Sequence, residues 1–273
     1  MSGAGDRPLR ICVSGALGDV GRHLVAAIVA DPGFVLASAV ARREVGRDAG
    51  EAIGGPAAGV AIVDDLAAAL DAGVDALIDY THPSVIREHV ALAFARRIPV
   101  VIGTTGLTDE GFAEIDAAAH EVGVGAATGN FAITAALLQH LAKIAARVVP
   151  QWEVIDMNPA TKPDAPSGTA RELAEVLGAI RRPVVALRED ELIGPVAARG
   201  AVFGGAHVHS VRLPGCSPWT EIIFGLDGER LVLRHDQQPG GRIFVSGSLL
   251  AARRIQDAPG LVRGLDTLLF ADT

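Results

Sequence analysis

The stretch RICVSGALGDVGRHLVAAIVA, residues 10–30, decides the fold of this chain. Its apolar start, Arg10–Ser14, is typical of a buried strand, and its second half is typical of a helix. In that helix the side chains of Val20, Leu24 and Ile28 share one apolar face. A strand, a glycine-rich turn and a helix in this order predict a Rossmann-type domain, in which the helix N-terminus binds a pyrophosphate.

The glycine-rich turn has the spacing G-x-x-G-x-x-G instead of the commoner G-x-G-x-x-G. The chain contains 32 glycines, so an ordinary tight turn is an alternative interpretation of three glycines in seven residues. The strand before the turn and the helix after it favour dinucleotide binding. The residues predicted to bind the cofactor here are Gly15, Ala16, Leu17, Gly18, Asp19, Val20 and Gly21.

The end of the second predicted strand, Phe34–Val40, indicates which dinucleotide is bound. Sites that prefer NADH usually hold the ribose 2′-hydroxyl with an acidic residue at this position. This chain has Arg42 and Arg43 there, and the first carboxylate is that of Glu44. Guanidinium groups match a 2′-phosphate in charge and geometry. We therefore predict NADPH as the cofactor, with NADH as the second choice; a pair of solvated loop arginines is the alternative interpretation.

The order of the predicted elements divides the chain into two domains. As far as about Gly129, short β-rich runs alternate with helical runs, which predicts an α/β domain with a parallel sheet. After a long helix at Asn130–Val148, strands follow with little helix between them, as in a mixed sheet. The last part of the chain is helical again. The predicted domains are residues 1–129 with 241–273, and residues 130–240.

Composition and charge exclude several classes of protein. At 273 residues, with 49% hydrophobic and 21% charged residues, the chain is long enough for two folded domains. A formal net charge of −8 argues against nucleic acid as a partner. The two cysteines, Cys12 and Cys216, give no disulfide framework, and no residue cluster has the spacing of metal ligands, so no metal is predicted. Neither a signal peptide nor a membrane span is predicted, which indicates a cytoplasmic protein.

A second candidate site precedes the predicted helix Thr169–Ile180. The backbone N–H groups of Ser167, Gly168 and Thr169 lie where this helix starts, and they predict an anion site that suits a substrate carboxylate. A simple helix cap is the alternative, since serine and threonine are preferred at helix N-termini, and both interpretations can hold together. Lys162, five residues earlier, can bring a positive charge to the same pocket.

Several motifs resemble the 4-hydroxy-tetrahydrodipicolinate (dihydrodipicolinate) reductases of bacterial lysine biosynthesis. The similarity covers nearly the whole chain, and its most specific motif is KPDAPSGTA at residues 162–170. The other matching segments are the glycine turn, Asp79-Tyr80-Thr81-His82-Pro83, Gly103-Thr104-Thr105-Gly106, Asn130-Phe131 and His207–Leu213.

This resemblance implies a fold and a set of site residues. It implies an N-terminal Rossmann dinucleotide-binding domain and a C-terminal α+β mixed-sheet domain that holds the substrate and forms a homotetramer. It also implies that Lys162 binds the substrate and supplies a proton. The residues that it places near the cofactor are Thr81, Gly103, Thr104, Thr105, Asn130 and Phe131.

The chain departs from the family pattern just before Lys162. The family has two adjacent histidines there, the first in the role of the acid, and this chain has Asn158 and Pro159. Asn158 can orient a substrate by hydrogen bonds but cannot release a proton near neutral pH. Arg242 lies about one residue out of register with an arginine that is expected before the last helix. Both departures favour a different substrate.

These observations lead to three hypotheses for the function. The first, which we prefer, is an NADPH-dependent reductase that transfers hydride to a small cyclic imine, with Lys162 and Asn158 as catalytic residues. A protonated iminium needs no strong acid from the enzyme, which agrees with the missing histidines. The second is the lysine-pathway reductase itself, working with a weakened acid. The third is a non-catalytic sensor that binds NADPH.

Overall fold

The computed structural model describes residues 7–271. By their internal contacts these residues form two compact units: one extends up to Ile133 and resumes at Gly240, and the other is Thr134–Pro239. Residues 1–6 and 272–273, which the first predicted domain includes, lie outside the described residues. Among the helices that the structure describes, none is both long enough and apolar enough to cross a membrane.

A parallel sheet of seven strands forms the centre of the first unit. Its strands are β1 (Leu9–Ser14), β2 (Phe34–Val40), β3 (Ile62–Val63), β4 (Ala76–Asp79), β5 (Val100–Ile102), β6 (Gly125–Thr128) and β12 (Gly260–Arg263). They lie in the order β12-β6-β5-β4-β1-β2-β3. The chain runs outward from β1 to β3 and then returns to β4 on the other side of β1. Ligands of open α/β sheets bind at the carboxyl ends of the strands at such a switch point.

Helices cover this sheet and fix the glycine turn in place. The helices of the first unit are α1 (Asp19–Ala30), α2 (Ala49–Ala52), α3 (Leu66–Leu70), α4 (Pro83–Phe94), α5 (Asp109–Val122), α8 (Val245–Arg254) and α9 (Leu265–Leu269). In α1 the side chains of Leu24, Val25 and Ile28 are at most 1% exposed. Because its apolar face is buried in this way, α1 holds its N-terminus at the carboxyl end of β1.

A mixed sheet of five strands and two long helices form the second unit. Its elements are α6 (Ile133–Val148), β7 (Gln151–Pro159), α7 (Gly168–Ile180), β8 (Ala201–Phe203), β9 (Ala206–Leu213), β10 (Trp219–Leu226) and β11 (Glu229–Asp236). The strand order is β11-β10-β7-β9-β8. The two strands β7 and β9 are parallel, and the other neighbours are antiparallel.

The central strand β7 alternates between a buried and a partly exposed face. On the buried face Trp152 and Val154 pack in one apolar core with Leu173 of α7. Asp156 and Asn158 continue the same face and are also buried, at 0% and 5% exposed. The apolar core therefore gives way to buried polar side chains where the strand ends, next to the predicted substrate site.

The fold class predicted from the sequence, a Rossmann-type domain and an α+β mixed-sheet domain, is confirmed. The long helix begins at Ile133 rather than at Asn130. The reason is local: the side-chain oxygen of Asn130 accepts a hydrogen bond of 2.9 Å from the backbone N–H of Ala132, which holds a turn before the helix. Strand β12, which pairs with β6, was not predicted, because four residues are too short to show a hydrophobic period.

Candidate active site

The glycine turn after β1 presents bare backbone at the switch point of the sheet. Gly15 has a φ of +82°, and a Cβ there would lie 2.6 Å from the backbone oxygen of Tyr80. At Gly21 a Cβ would overlap the backbone of Gly15. Side chains are excluded from both positions, and the resulting cradle permits the close approach that a pyrophosphate requires.

The turn leaves a specific set of backbone N–H groups for an anion. Those of Gly15 and Ala16 donate to the carbonyl of Val40 at 3.0 Å each, and that of Gly18 donates to the carbonyl of Gly15 at 2.9 Å. In the described residues no side chain caps the N-terminus of α1. A helix N-terminus of this kind suits a phosphate. The N–H groups that remain at the turn are those of Leu17, Asp19, Val20 and Gly21.

A buried carboxylate organises the loop after β4. Asp79 is 0% exposed, and its Oδ1 accepts hydrogen bonds from the backbone N–H and the hydroxyl of Thr81, at 2.9 and 2.5 Å. Its Oδ2 lies 2.6 Å from Nδ1 of His89 on α4. Asp79 thus fixes Thr81, one of the predicted cofactor residues, at the carboxyl end of the sheet.

The loop after β5 carries a buried hydroxyl group without a partner. A Cβ at Gly103 would overlap the ring of Tyr80, whose hydroxyl lies 2.8 Å from that of Ser248 on α8. Burial raises the pKa of Tyr80, so this phenol stays neutral. Thr104 is buried, and its Oγ1 has no hydrogen-bond partner within residues 7–271, whereas Thr105 is exposed. A buried hydroxyl that is unsatisfied in this way is free to bond to a ligand.

The other predicted cofactor residues differ in what they can offer. Arg42 and Arg43 are exposed after β2 and form no ion pair in the part of the chain that the structure describes. Glu44 does not neutralise them, because it is paired with Arg47 at 2.8 Å. Phe131, next to Asn130, is only 1% exposed, so its ring offers no surface to a ligand.

The predicted substrate residues lie at the start of α7 in the second unit. The helix-cap interpretation of Ser167 is correct: its Oγ accepts a hydrogen bond of 3.3 Å from the backbone N–H of Ala170. Gly168 and Thr169 form the first turn of the helix. A Cβ at Gly168 would meet no atom within 4 Å, so the space in front of this turn is open.

One carboxylate shows how this corner binds an anion. The ammonium nitrogen of Lys162 lies 2.7 Å from Oδ1 of Asp164, and both side chains are partly exposed. Burial raises the pKa of Asp164, but the hydrogen bond and charge of Lys162 hold it below its ordinary value. The ammonium group of Lys162 thus binds a carboxylate in the loop that leads to the N-terminus of α7. The same ammonium group and the first turn of α7 can bind the carboxylate of a substrate.

A second buried carboxylate, Asp156, lies beside this corner. Its Oδ1 accepts hydrogen bonds from the side-chain nitrogen of Asn158 and the hydroxyl of Ser167, both at 2.7 Å. Its Oδ2 accepts from the backbone N–H of Ser167 at 2.8 Å and from Arg212 at 2.7 Å. Since the amide nitrogen of Asn158 faces a carboxylate, its amide oxygen is the group that is left to accept a hydrogen bond from a ligand.

The histidines of β9 do not replace the missing imidazoles. Nε2 of His209 lies 2.7 Å from the carboxylate of Glu153. In the sheet register Asp156 pairs with Ser210, so His209 and Glu153 lie on the opposite face of the sheet from Asp156. The charged groups that the hydrogen bonds of the described second unit bring to the loop before α7 are Lys162, Arg212 and the two aspartates.

The fold and these residues define a class of protein, the nicotinamide-dependent oxidoreductases. Two features of the first unit fit a dinucleotide. One is the glycine turn, where a Cβ would clash with the backbone, and the other is the buried Thr104 hydroxyl, which has no partner within residues 7–271. A charged corner at a helix N-terminus in the second unit suits a small anionic substrate.

Comparison with known proteins gives the family within this class. The family model "Dihydrodipicolinate reductase, N-terminus" matches residues 9–131, and "Dihydrodipicolinate reductase, C-terminus" matches residues 132–269. The chain belongs to the dihydrodipicolinate reductase family of NAD(P)H-dependent oxidoreductases.

Similar relatives support this membership over the full length. The chain is 38% identical to a 4-hydroxy-tetrahydrodipicolinate reductase of Moorella thermoacetica, with 96% of this chain and 98% of the relative covered. A relative of the same name from Mycobacterium sp. is 37% identical, with 96% and 99% covered. The dipicolinate-bound dihydrodipicolinate reductase of Paenisporosarcina sp. TG-14 has a TM-score of 0.82 and 31% identity, with 95% and 99% covered.

Sequence reasoning did not find the hydrogen-bond networks around three charged residues of the two sites: Asp79, Asp156 and Arg212. A signal for the two aspartates exists in the sequence, since each occupies a position where the strand pattern requires a buried side chain. A buried carboxylate needs several donors and therefore marks a built network. Arg212 gives no such signal, because its partner is 56 residues away along the chain.

We expect the substitution Asp79→Asn to weaken cofactor binding. The NH2 group of the asparagine would face groups that now donate hydrogen bonds to the carboxylate, so at least one of these buried donors would lose its acceptor. A buried unsatisfied group costs about 1–3 kcal/mol. Fluorescence titration should show an affinity for reduced nicotinamide nucleotide about tenfold lower, and denaturant unfolding should show reduced stability. Asp71→Asn, which removes an exposed partner of Arg96, is the matched control and should change neither. Unchanged nucleotide affinity in a folded Asp79→Asn protein would contradict this role.

Proposed function

We propose that the chain is an NADPH-dependent reductase of 4-hydroxy-tetrahydrodipicolinate, a cyclic imine that bears two carboxylates. The observation that carries this proposal is the place of Lys162, which binds the carboxylate of Asp164 at 2.7 Å in the loop that leads to the N-terminus of α7. The names of the relatives that match over the full chain support the same substrate. This proposal replaces the preference for an altered substrate, which rests on the departures at Asn158-Pro159 and Arg242 and which the relatives named above do not support.

The residues of this chain would divide the chemistry among them. NADPH, when bound, supplies the hydride. A substrate carboxylate takes the position of the Asp164 carboxylate, against Lys162 and the first turn of α7. The amide oxygen of Asn158 accepts a hydrogen bond from the protonated ring nitrogen. In the net reaction hydride replaces the 4-hydroxyl group, which leaves as water with one proton, and Lys162 supplies that proton directly or through water.

A simpler cyclic imine is the second candidate substrate. The specific observation that favours it is Asn158, which stands where the family has the acidic histidine and is held by Asp156. A substrate that arrives as an iminium ion needs no proton from the enzyme, so an amide suffices. A sensor that binds NADPH without turnover is the remaining hypothesis from the sequence, and the following experiment addresses it too.

The test compares NADPH oxidation with freshly generated 4-hydroxy-tetrahydrodipicolinate and with 1-pyrroline-2-carboxylate. We expect turnover of the first at the higher kcat/KM, and a fall of about 10²–10⁴-fold in Lys162→Gln, because general acid assistance is of this size. Asn158→His should raise kcat with the first substrate if a weak acid limits it. Preference for the pyrroline, with no gain from Asn158→His, would establish the second candidate. If the protein binds NADPH but turns over neither substrate, the sensor hypothesis remains.

We propose NADPH rather than NADH because Arg42 and Arg43 carry two uncommitted guanidinium groups after β2. Charge-assisted hydrogen bonds contribute about 1.5–3 kcal/mol each. The double substitution Arg42→Ala/Arg43→Ala should therefore weaken NADPH binding by at least about 100-fold in a fluorescence titration and change NADH binding less than about threefold. Arg47→Ala, which removes the arginine paired with Glu44, is the control. An equal loss for both nucleotides would refute a contact with the 2′-phosphate.

We also propose a homotetramer assembled through the second unit. Support comes from large apolar side chains exposed on its strands: Val202 is 53% exposed, Leu213 50% and Leu231 44%. Exposed apolar surface of this kind marks contacts between proteins. Light scattering should give the mass of four chains, and Leu231→Glu should lower it, whereas Val29→Glu on α1 should not. A monomeric parent protein would exclude the assembly.

A further inference from the structure

One carboxylate holds both ends of the loop that carries Lys162. This loop, residues 160–167, connects β7 to α7. Just before it, the side chain of Asn158 donates to Asp156 at 2.7 Å. At its end, Ser167 donates its backbone N–H at 2.8 Å and its hydroxyl at 2.7 Å to the same carboxylate. The start and the end of the loop are therefore tied to a single buried side chain.

Arg212 ties the middle of the loop to the same point. Its Nη2 donates to Asp156 at 2.7 Å and to the backbone carbonyl of Asp164 at 2.6 Å. The two side chains are well buried, at 15% exposed for Arg212 and 0% for Asp156. A guanidinium group offers several donors in a fixed plane, so it can join a carboxylate and a carbonyl at once, which an ammonium group cannot do with the same geometry.

Stability alone does not explain an ion pair at this position. Buried ion pairs contribute little net stability compared with apolar side chains of similar volume, because both charges lose their hydration. The same face of β7 is apolar two residues earlier, at Val154, and packs well there. The charged pair instead holds the loop in one conformation. It determines where the Ser167 N-cap lies and how the backbone runs on either side of Asp164.

We propose that Asp156 and Arg212 are positioning residues of the substrate site. They hold Lys162 and the first turn of α7 in the arrangement that binds a substrate carboxylate, before the substrate arrives. Neither residue needs to contact the substrate. The inference deepens the proposed function and rests on it for the identity of the substrate, whereas the network itself rests on the geometry of the loop.

The test uses Asp156→Asn and Arg212→Lys in the full-length enzyme. Loss of alignment in a substrate site can cost about 10²-fold. We expect kcat/KM for 4-hydroxy-tetrahydrodipicolinate to fall about 10–100-fold, with most of the loss in KM, and KM for NADPH to stay within about twofold. Asp156→Glu, which keeps the charge, should lie closer to the parent enzyme than Asp156→Asn.

A matched control lies on the same strand. Glu153 is also paired with an arginine, Arg199, and with His209, but it faces the other side of the sheet. Glu153→Gln removes a comparable charge without touching the loop, and KM should stay within about twofold. Circular dichroism and thermal melting establish that each variant is folded. If Asp156→Asn does not fold, Arg212→Lys decides, since it keeps the positive charge.

Two outcomes would overturn the proposal. KM values within twofold of the parent in folded variants would make the pair purely structural. A fall of 100-fold or more in kcat with an altered pH profile and unchanged KM would make Asp156 a participant in the chemistry.

Binding of dipicolinate separates this proposal from the proposed function. If the parent enzyme turns over no imine, the proposed function fails, and calorimetry with dipicolinate still decides the positioning role. Binding at least tenfold weaker in both variants, together with faster amide hydrogen exchange in residues 159–168, supports positioning. Equal binding by parent and variants overturns it, and absence of binding by the parent overturns both proposals.

Discussion

A carboxylate stays charged inside a protein only where donors surround it, and this requirement shapes the proposed substrate site. Asp156 is 0% exposed and accepts five hydrogen bonds, including one of 3.4 Å from Ser210. To lose any strong donor would leave a buried charge partly unsatisfied, which is costly. The loop between β7 and α7 therefore has little freedom. Three features of the loop depend on this one side chain: the Ser167 cap, the direction of Asn158 and the position of the backbone at Asp164.

The first unit uses the same device at the end of a different strand. Asp79 ends β4 as a fully buried carboxylate, and its donors are the backbone and hydroxyl of Thr81 and the ring of His89. Loops at the carboxyl ends of strands are ordinarily the mobile parts of an α/β protein. A buried acid at the last position of the strand gives such a loop a fixed anchor. The cofactor side and the substrate side thus follow one design, in which the strand contributes the acid and the following residues contribute the donors.

The sequence predicts the parts of this molecule that depend on local pattern. The turn at Gly15 and Gly21 follows from spacing and context, because only a residue without a side chain permits the backbone contacts seen there. The cap at Ser167 follows from residue type. The networks do not follow, because Asp79 meets its histidine on α4 and Asp156 meets Arg212 on β9, and a partner on another element leaves no trace in local periodicity. The departure at Asn158 was visible in the sequence, but its meaning was not: a missing acid says nothing about what holds the residue that replaces it.

The orientation of Asn158 limits the chemistry that this side chain can support. A carboxylate accepts hydrogen bonds and donates none, so the group of Asn158 that contacts Asp156 is the amide nitrogen. The amide oxygen is left for a ligand. An oxygen acceptor binds a protonated ring nitrogen and is repelled by the lone pair of a neutral imine. In the proposed function the site is thereby matched to the cationic form of its substrate, the form that accepts hydride most readily. A histidine at this position would supply a proton after the substrate binds, whereas the role proposed for Asn158 is to select substrate that already carries one. With that role, the rate of hydride transfer depends on how much of the substrate is protonated in solution.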